Sequence, residues 1–227
     1  MCGRFSLYDV NMTPEEFEER FGFQMPEPPD MIQSYNISPY STIPVIFKDD
    51  DSRTQIRPMQ WQLIPSFSKE FKSNYSMFNT RAETFEKKGF WPRMLQKSRC
   101  IIPANNFFEW AKVDGRKVPY KFTLNDSALM GIGGIYSIWR DNEGRSFYST
   151  SMITVPANEV VGKIHQRMPF ILPRNEEKNW LDRHQSDLAH IKSLIKPYPA
   201  EFMSSVEVSP LVNNSRNDSP ELILPVS

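Results

Sequence analysis

Cys2 is the residue whose position suggests the most specific chemistry. It directly follows the initiator methionine, and a small residue at this position normally permits removal of that methionine. Removal would leave cysteine as the new N-terminus, with an α-amine of pKa about 7.7 to 8.0 and a thiol of pKa about 8.5. With an aldehyde, the amine condenses to an imine and the thiol then adds to the same carbon, which gives a thiazolidine ring that resists hydrolysis. From position alone, a buried small residue or an accident of the start site is the more frequent explanation of such a cysteine.

Four short stretches favour a reactive role for Cys2, because they combine polar, reactive residue types with aromatic or proline neighbours. They are Met1–Phe5, Phe78–Thr84, Asn106–Trp110 and Ile164–Pro169. The last three contain an amide, a carboxyl group and an imidazole, which are side chains that can orient a reacting group or move its protons.

In this order along the chain, the four stretches resemble those of the SRAP family, the SOS-response-associated peptidase-like proteins that crosslink to abasic sites in DNA. The resemblance spans nearly the whole chain, because five further strings also match the family's pattern. These strings are Tyr35–Pro39, Trp61–Pro65, Arg99–Ala104, Ile153-Thr154 with Ala157-Asn158, and Val212–Asn214. Each string alone is weak, but together and in this order they are highly specific.

The resemblance implies a protein that recognises an abasic deoxyribose in single-stranded DNA or at a junction and bonds to it through its N-terminal cysteine. It also implies a compact domain with a β-sheet core beside a positively lined groove. The family's catalytic positions fall on Cys2, Asn79, Glu109 and His165 of this sequence. The family's DNA-contacting positions fall on Arg4, Asn36, Pro39, Arg81, Thr154 and Arg167.

Glu109 and His165 suit the proton transfers that this chemistry needs. An abasic sugar exists mostly as a closed hemiacetal, and a positioned carboxylate and imidazole can open it to the aldehyde. Glu109 lies between Phe108 and Trp110, where partial desolvation would raise its pKa towards neutrality. Without the motif, a strand carboxylate is more often exposed and an isolated histidine more often structural. Asn79, which could equally be a turn residue, offers both a donor and an acceptor to the sugar or the amine.

The three arginines are candidates for binding phosphates, because a lesion without a base forces recognition of the DNA backbone. The planar guanidinium of an arginine matches a phosphate with two parallel hydrogen bonds. Aromatic side chains could stack on flanking bases, at about 1 to 3 kcal/mol per base, although core packing is the commoner role of any single aromatic residue. The candidates for stacking are Phe67, Phe107 and Trp110.

Five positions depart from the family's usual pattern. Gln62 replaces the glycine of a W-G-L-I-P string, and Phe67 with Ser68 stand where tryptophan is frequent. Asn106 and Phe108 replace a glycine and a common tyrosine. These changes leave the four catalytic positions intact. They affect residues that would determine how bases stack on the protein and whether it prefers single-stranded DNA, an overhang or a junction.

The composition excludes several classes of protein. With 39% hydrophobic and 24% charged residues, the chain has the make-up of an ordinary soluble protein and not of collagen, a coiled coil or a disordered segment. No apolar run approaches the roughly 18 residues of a membrane span, the first residues do not resemble a signal peptide, and two cysteines are too few for a disulfide framework. We therefore expect a cytoplasmic monomer without a membrane partner, a metal ion or a cofactor. Because 27 basic residues balance 27 acidic ones, any DNA would have to be bound by a local patch.

The elements that would position these residues indicate an α+β fold in a single domain over residues 1–227. A capping box from Thr13 to Glu16 predicts a short helix to about Gly22, and further helices are predicted from near Asn175 and over residues 187–196. Strands are predicted over residues 42–47, 54–63, 120–124, 129–139 and 147–155, with a hairpin turn at 141–144. Because no regular βαβ alternation is present, the core should be a mainly antiparallel sheet or barrel flanked by short helices.

Two other functions stay open at this stage. A cysteine or N-terminal-nucleophile peptidase would use Cys2 with His165 and Glu109, and self-removal of Met1 is the activity most compatible with a nucleophile at position 2. A noncatalytic single-strand-binding module would bind intact and abasic strands equally, with a steep salt dependence. A lyase activity through the imine is also compatible with the crosslinking chemistry.

Overall fold

Two β-sheets carry the architecture. The computed structural model describes residues 2–8, 13–22, 34–87 and 89–226. The strands are β1 (Phe5–Leu7), β2 (Ser34–Ile37), β3 (Thr42–Lys48), β4 (Thr54–Trp61), β5 (Asn79–Arg81), β6 (Arg99–Ala104), β7 (Asn106–Val113), β8 (Arg116–Leu124), β9 (Met130–Arg140), β10 (Ser146–Pro156), β11 (Arg167–Pro169), β12 (Ile171–Leu172) and β13 (Met203–Glu207). The α-helices are α1 (Pro14–Phe21), α2 (Phe90–Lys97), α3 (Glu159–Gly162), α4 (Glu177–Leu181) and α5 (Leu188–Leu194). Short 3-10 helices lie at Ala82–Glu86, Arg174–Glu176, Ala200–Phe202, Pro210–Asn213 and Pro220–Ile223.

Five strands of the larger sheet close into a barrel. The strand order is β11-β10-β4-β3-β6-β9-β12, and β9 also pairs with β10, so that β10, β4, β3, β6 and β9 form a closed ring. The pairs within this ring are antiparallel except β10 with β4, and β5 adds a second parallel neighbour to β10. The smaller sheet, β13-β8-β7-β1-β2, is antiparallel. The expected α+β fold with a mainly antiparallel, barrel-like core and short helices is confirmed.

The glycines of β9 allow side chains to pack directly against its backbone. A Cβ on Gly133 would lie 2.4 Å from the ring of Phe170, and a Cβ on Gly131 would lie 2.3 Å from Oε1 of Glu177. Phe170 is fully buried and packs edge-on against Trp180 of α4. A larger residue at either glycine would push these side chains away, so the close contact of α4 with the barrel depends on both positions.

The first helix forms as its capping box predicts. The Thr13 hydroxyl accepts a hydrogen bond from the N–H of Glu16, and the Glu16 carboxylate accepts one from the N–H of Thr13. The helix ends at Gly22, whose φ of 78° is the left-handed conformation that glycine adopts without strain. Phe17 and Phe21 bury one face of the helix in the core.

The other predicted elements are present with shifted ends. The helix predicted from near Asn175 is a 3-10 turn followed by α4, and the helix predicted over residues 187–196 is the shorter α5, capped by Asp187. The five predicted strands are β3, β4, β8, β9 and β10, and sequence reasoning missed β6 because all of its residues are buried, so it has no alternating pattern. None of the helices in the described ranges is long and apolar enough to span a membrane.

A buried ion pair holds α1 against α4. Nε and Nη2 of Arg20 donate to the carboxylate of Glu177 at 2.7 and 2.6 Å, and Nη1 donates to the carbonyl of Leu129 at 3.1 Å. The two charged side chains are 4% and 0% exposed. Burial raises the pKa of Glu177, and the hydrogen bonds from Arg20 offset only part of this effect. Removal of either partner would leave an uncompensated charge in the protein interior.

Replacing Glu177 with alanine should destabilise the fold by about 3 to 5 kcal/mol, because Arg20 would keep a buried charge without its partner. The matched control is Glu18→Ala, at an exposed position of α1, which should change the free energy of unfolding by less than about 0.5 kcal/mol. Urea unfolding followed by circular dichroism measures both variants. Equal losses in the two variants would mean that the ion pair does not hold α1 in place.

Candidate active site

Strand pairing brings together residues that are far apart in the sequence. β1 lies between β2 and β7, and the carbonyl of Arg4, just before β1, accepts a hydrogen bond from the N–H of Phe108 at 2.9 Å. The start of the described chain therefore runs beside the stretch that contains Glu109. In the larger sheet, β10 has β5 on one side and β11 on the other, which places Arg81 and Pro169 opposite Thr154.

A hydrogen bond from Asn79 joins these two regions. Its Nδ2 donates to the carbonyl of Cys2 at 2.6 Å, so the first residue of β5 holds the segment that leads into the smaller sheet. Oδ1 of the same amide is buried and has no hydrogen-bond partner within the described ranges. Asn79 thus positions Cys2 with its nitrogen and offers its oxygen as an acceptor.

Cys2 is fully buried, and its surroundings keep the thiol protonated. Sγ lies 3.9 Å from the carbonyl of Arg4, which is a weak hydrogen bond. Burial raises the pKa of the Cys2 thiol well above its ordinary value, and the negative charge of Glu109 raises this pKa further. The sulfur can therefore act as a nucleophile only when a nearby base removes its proton.

Glu109 and His165 form an acid and base pair beside Cys2. Oε1 of Glu109 lies 3.8 Å from Nδ1 of His165, and the carboxylate side chain is 4% exposed. Burial raises the pKa of Glu109 from its ordinary value to about 7 and lowers the pKa of His165 below its ordinary value. The expected upward shift of the Glu109 pKa is confirmed in direction. Near neutral pH the carboxyl group exchanges its proton readily, while the imidazole is mainly neutral.

The backbone of Arg167 orients the imidazole of His165. Nδ1 lies 3.0 Å from both the nitrogen and the carbonyl oxygen of Arg167, so either neutral tautomer finds a partner. His165 follows the short helix α3, and its own N–H donates to the carbonyl of Val161 at 2.9 Å. The ring is thereby fixed next to Glu109 by groups that do not titrate.

Several buried polar atoms of the site make no hydrogen bond to any described residue. They are Nε of Arg4, Oδ1 of Asn79, Oε1 of Glu109 and Nε of Arg167. Buried polar atoms in native proteins are nearly always paired, so such a concentration of unpaired atoms is typical of a site that binds a polar ligand. Both atoms of the Asn106 amide are also unpaired, and nothing in the structure explains them.

Arg4 is held by neutral acceptors. Nη1 donates to Oδ1 of Asn36 at 2.6 Å and to the carbonyl of Val212 at 2.7 Å, and the guanidinium lies 5.8 Å from the centroid of the Trp110 ring. Nε1 of Trp110 donates to Oδ1 of Asn213 at 2.5 Å. Since none of these acceptors is a carboxylate, they orient the guanidinium without neutralising its charge.

Arg167 is held in a different way, by a carboxylate. Its Nη1 and Nη2 donate to the two carboxylate oxygens of Glu83 at 2.6 and 3.1 Å, and Nη2 also donates to the carbonyl of Thr154 at 2.5 Å. Arg81, at the end of β5, is exposed. The three arginines predicted to bind DNA therefore differ in their present partners: Arg4 has neutral acceptors, Arg167 has a carboxylate, and Arg81 is exposed.

The remaining predicted DNA-contacting residues lie in varied settings. Asn36 is buried, and its Nδ2 donates to the carbonyls of Asn214 and Asn217 at 3.0 and 2.7 Å. Thr154 is fully buried, and Pro39 lies half-buried in the turn between β2 and β3. Their contact with DNA stays a prediction, and for Asn36 the structure adds a role in holding the segment that contains Val212.

The structure corrects one of the proposed stacking residues. Phe107 is fully buried, and its ring stacks on Phe122 with centroids 4.9 Å apart, so Phe107 belongs to the core and is unable to stack on a base. Phe67 is 73% exposed, and Trp110 is half-buried beneath Arg4. The general preference of aromatic residues for core packing decides the case of Phe107.

Sequence reasoning missed Glu83 and the contribution of Asn213 to this site. Glu83 lies in the same stretch as Asn79 and Arg81, and Asn213 lies in the quoted string Val212–Asn214. Membership of these strings could have marked both residues as part of the site. The residue types alone do not reveal that Glu83 binds Arg167 or that Asn213 binds the indole of Trp110.

The described residues contain no cluster of three or more His, Cys, Asp or Glu side chains that could hold a metal ion.

Comparison with known proteins relates the chain to one family. A family model described as SOS response associated peptidase (SRAP) matches residues 1–215. The chain is 39% identical over 226 residues to abasic site processing protein YoqW of Bacillus subtilis, covering 98% of this chain and 99% of that protein. It is 33% identical over 270 residues to abasic site processing protein HMCES of Mus musculus, covering 99% and 76% of the two chains. A crystal structure of a protein from Bacteroides thetaiotaomicron matches with a TM-score of 0.80 and 26% identity over the whole of both chains.

Glu109→Gln should remove a pH-dependent loss of stability. The folded pKa of Glu109 is about 7, whereas an unfolded glutamate titrates at about 4.3. The wild-type protein therefore loses stability as the pH rises through this window, by up to about 4 kcal/mol at 1.4 kcal/mol per pKa unit. Glutamine stays neutral, so the advantage of the variant should grow with pH across the window.

Urea unfolding at a series of pH values measures this difference. Glu201→Gln, at an exposed position, is the control and should show no such growth. An advantage of Glu109→Gln that does not change with pH would contradict the raised pKa.

Proposed function

The chain belongs to the SOS response associated peptidase (SRAP) family, and from that premise we propose that it processes abasic sites in single-stranded DNA or at junctions by bonding to them through Cys2. The observation that carries this proposal is the hydrogen bond from Asn79 to the carbonyl of Cys2. It holds the residue that would become the N-terminus near Glu109, whose charge acts on the Cys2 thiol and whose carboxylate lies 3.8 Å from His165. The names of two relatives, both called abasic site processing proteins, support the substrate class.

The first chemical step opens the sugar. A base removes the proton from the anomeric hydroxyl while an acid protonates the ring oxygen, which breaks the ring C–O bond and leaves an aldehyde. Glu109 suits these roles because its pKa of about 7 lets it give or take a proton near neutral pH, and His165 suits the role of base because its lowered pKa leaves the imidazole neutral.

The second step forms the bond to DNA. After Met1 has been removed, the α-amine of Cys2 attacks the aldehyde carbon and a water molecule leaves, which gives an imine. The thiol then adds to the imine carbon, forming a C–S bond, while its proton passes to the ring nitrogen by way of a neighbouring base. Because the Cys2 thiol is protonated at rest, Glu109 is the group that accepts and returns this proton.

The DNA backbone would be bound by the arginines around this centre. Arg4 offers a charge that its acceptors Asn36 and Val212 do not neutralise, and Arg81 is exposed. Phosphate contacts of this kind fix the register of a strand without reading its sequence, which suits a lesion that has no base.

Cys2→Ala should abolish the heat-stable adduct with abasic DNA, because alanine lacks the sulfur that closes the ring. The assay is denaturing electrophoresis after incubation of the purified protein, lacking Met1, with a uracil-excised single-stranded oligonucleotide. Cys100→Ala is the matched control, since Cys100 is also a buried free cysteine, and it should crosslink like the wild type. An equally persistent adduct with Cys2→Ala would refute the proposal, and equal binding of intact and abasic strands without any adduct would favour a noncatalytic binding module.

Glu109→Gln should slow crosslinking by about 100-fold or more, the usual loss when a general acid or base is removed. Protonation of the α-amine, with its ordinary pKa of about 7.7 to 8.0, should slow both proteins as the pH drops. The wild-type rate should fall more steeply below about 7, because a protonated Glu109 is unable to accept the thiol proton, and this additional fall should be absent in the variant. Single-turnover kinetics measures both effects. His165→Ala should also be slow, while His190→Ala, at an exposed position of α5, should keep the wild-type rate. A wild-type rate in Glu109→Gln would remove Glu109 from the mechanism.

The same three side chains also support a second candidate activity, self-removal of Met1 by a peptidase mechanism. A peptidase mechanism would use the thiol of Cys2 together with Glu109, whose charge acts on that thiol, and His165, which lies 3.8 Å from Glu109. Intact mass of the expressed protein tests this activity. Met1 retained in Glu109→Gln and absent from the wild type would support self-processing, whereas its absence from both would assign the removal to a host aminopeptidase.

A further inference from the structure

Glu83 is the one charged residue of the stretch Phe78–Thr84 to which the proposed function gives no role. Its carboxylate accepts two hydrogen bonds from the guanidinium of Arg167, at 2.6 and 3.1 Å. The side chain of Glu83 is 57% exposed, whereas that of Arg167 is 15% exposed. Glu83 is therefore the more exposed partner of the pair, and it occupies both Nη1 and Nη2 of Arg167.

The contact has the geometry that arginine uses for a phosphate. Two parallel N–H···O bonds to two oxygens of one anion are the arrangement that a guanidinium forms with carboxylates and phosphates alike. The positive charge of Arg81 also lowers the pKa of Glu83, in addition to the larger effect of Arg167, so this carboxylate lies near both guanidiniums. Glu83 thus holds a negative charge among residues that the proposed function assigns to DNA phosphates.

Arg4 provides the contrast within the same site. Its hydrogen-bond acceptors are the neutral amide of Asn36 and a backbone carbonyl, and they can stay in place when an anion approaches. A phosphate that approaches Arg167 meets the negative charge of Glu83 first. It has to displace the carboxylate or bind beside a pair whose charges already cancel.

We propose that Glu83 is a specificity-determining residue, which occupies Arg167 in place of a DNA phosphate and thereby weakens the binding of every single strand. This inference rests on the proposed function, because it concerns the same DNA-binding site. The weakening is the same for intact and for abasic strands, but only an abasic strand can be retained by a covalent bond to Cys2. A lower general affinity thus lets intact strands leave while damaged strands are captured.

The test compares Glu83→Gln with Glu86→Gln. Glu86 lies in the same 3-10 helix and forms an exposed ion pair with Lys192, so the control removes the same charge without changing the partner of Arg167. The probes are an intact single strand and the same strand with a tetrahydrofuran residue, a stable abasic analogue that lacks an aldehyde. Fluorescence anisotropy measures Kd for both probes over a range of salt concentrations.

Glu83→Gln should bind both probes about threefold more tightly at low salt, and the slope of log K against log[salt] should steepen by about 0.7, the value for one further phosphate contact on a single strand. Glu86→Gln should match the wild type in both quantities. The excess of crosslinked abasic strand over bound intact strand, measured in a mixture of the two, should fall in Glu83→Gln.

Identical Kd values and slopes in the two variants would overturn the inference, because releasing Arg167 would then add no phosphate contact. Weaker binding by Glu83→Gln would also overturn it and would show that Glu83 holds Arg167 in its binding position. The crosslinking assay with wild-type protein and an abasic strand separates these outcomes from failure of the proposed function. If the wild type forms no adduct, the proposed function fails, whereas an adduct together with unchanged binding by Glu83→Gln refutes only the role of Glu83.

Discussion

The hydrogen bond from Asn79 to the carbonyl of Cys2 is the contact on which the site depends, because it joins the two sheets at the reactive residue. Cys2 leads into the smaller sheet, which also carries Glu109 on β7, while Asn79 begins a strand of the larger sheet. Without this bond, the segment before β1 would lose its hydrogen bond to the larger sheet and would keep the bond between Arg4 and Phe108 in the smaller sheet. The larger sheet also supplies Arg167 through β11, whose pairing with β10 places Arg167 opposite Pro156, and the Arg167 side chain donates to the carbonyl of Thr154.

Burial of a carboxyl group is the second constraint, and it has opposite effects on stability and on chemistry. Glu109 is buried beside His165 without a cation that hydrogen-bonds to it within the described ranges, and this raises its pKa to about 7. Burial of Glu109 lowers the stability of the fold at neutral pH. A carboxyl group with a pKa near neutrality can, however, both accept and return a proton at that pH. The contrast with Glu177 is informative, since that buried carboxylate is held by two hydrogen bonds from Arg20 and serves packing.

The sequence predicts local elements of the fold better than it predicts the contacts around the candidate site. The capping box of α1 and the hairpin turn at residues 141–144 are local signals, and both elements form as expected. The raised pKa of Glu109 is also recovered in direction, but its cause is burial of the carboxyl group, because the neighbouring Phe108 and Trp110 lie on the other face of β7. The pairing of Arg167 with Glu83 joins residues 84 positions apart, and the sequence contains many carboxylates that could have taken this place. Which carboxylate pairs with Arg167 depends on strand register and on the direction of each side chain, and neither can be inferred from the types of single residues.

The carbonyl of Val212 that orients Arg4 has a consequence for the time at which the site is completed. The two residues are 208 positions apart in the sequence. At elongation rates of about 5 to 20 residues per second, a ribosome makes the second roughly 10 to 40 s after the first. A nascent chain on the ribosome therefore carries Cys2 and Arg4 throughout this interval without the backbone acceptor that orients the Arg4 guanidinium.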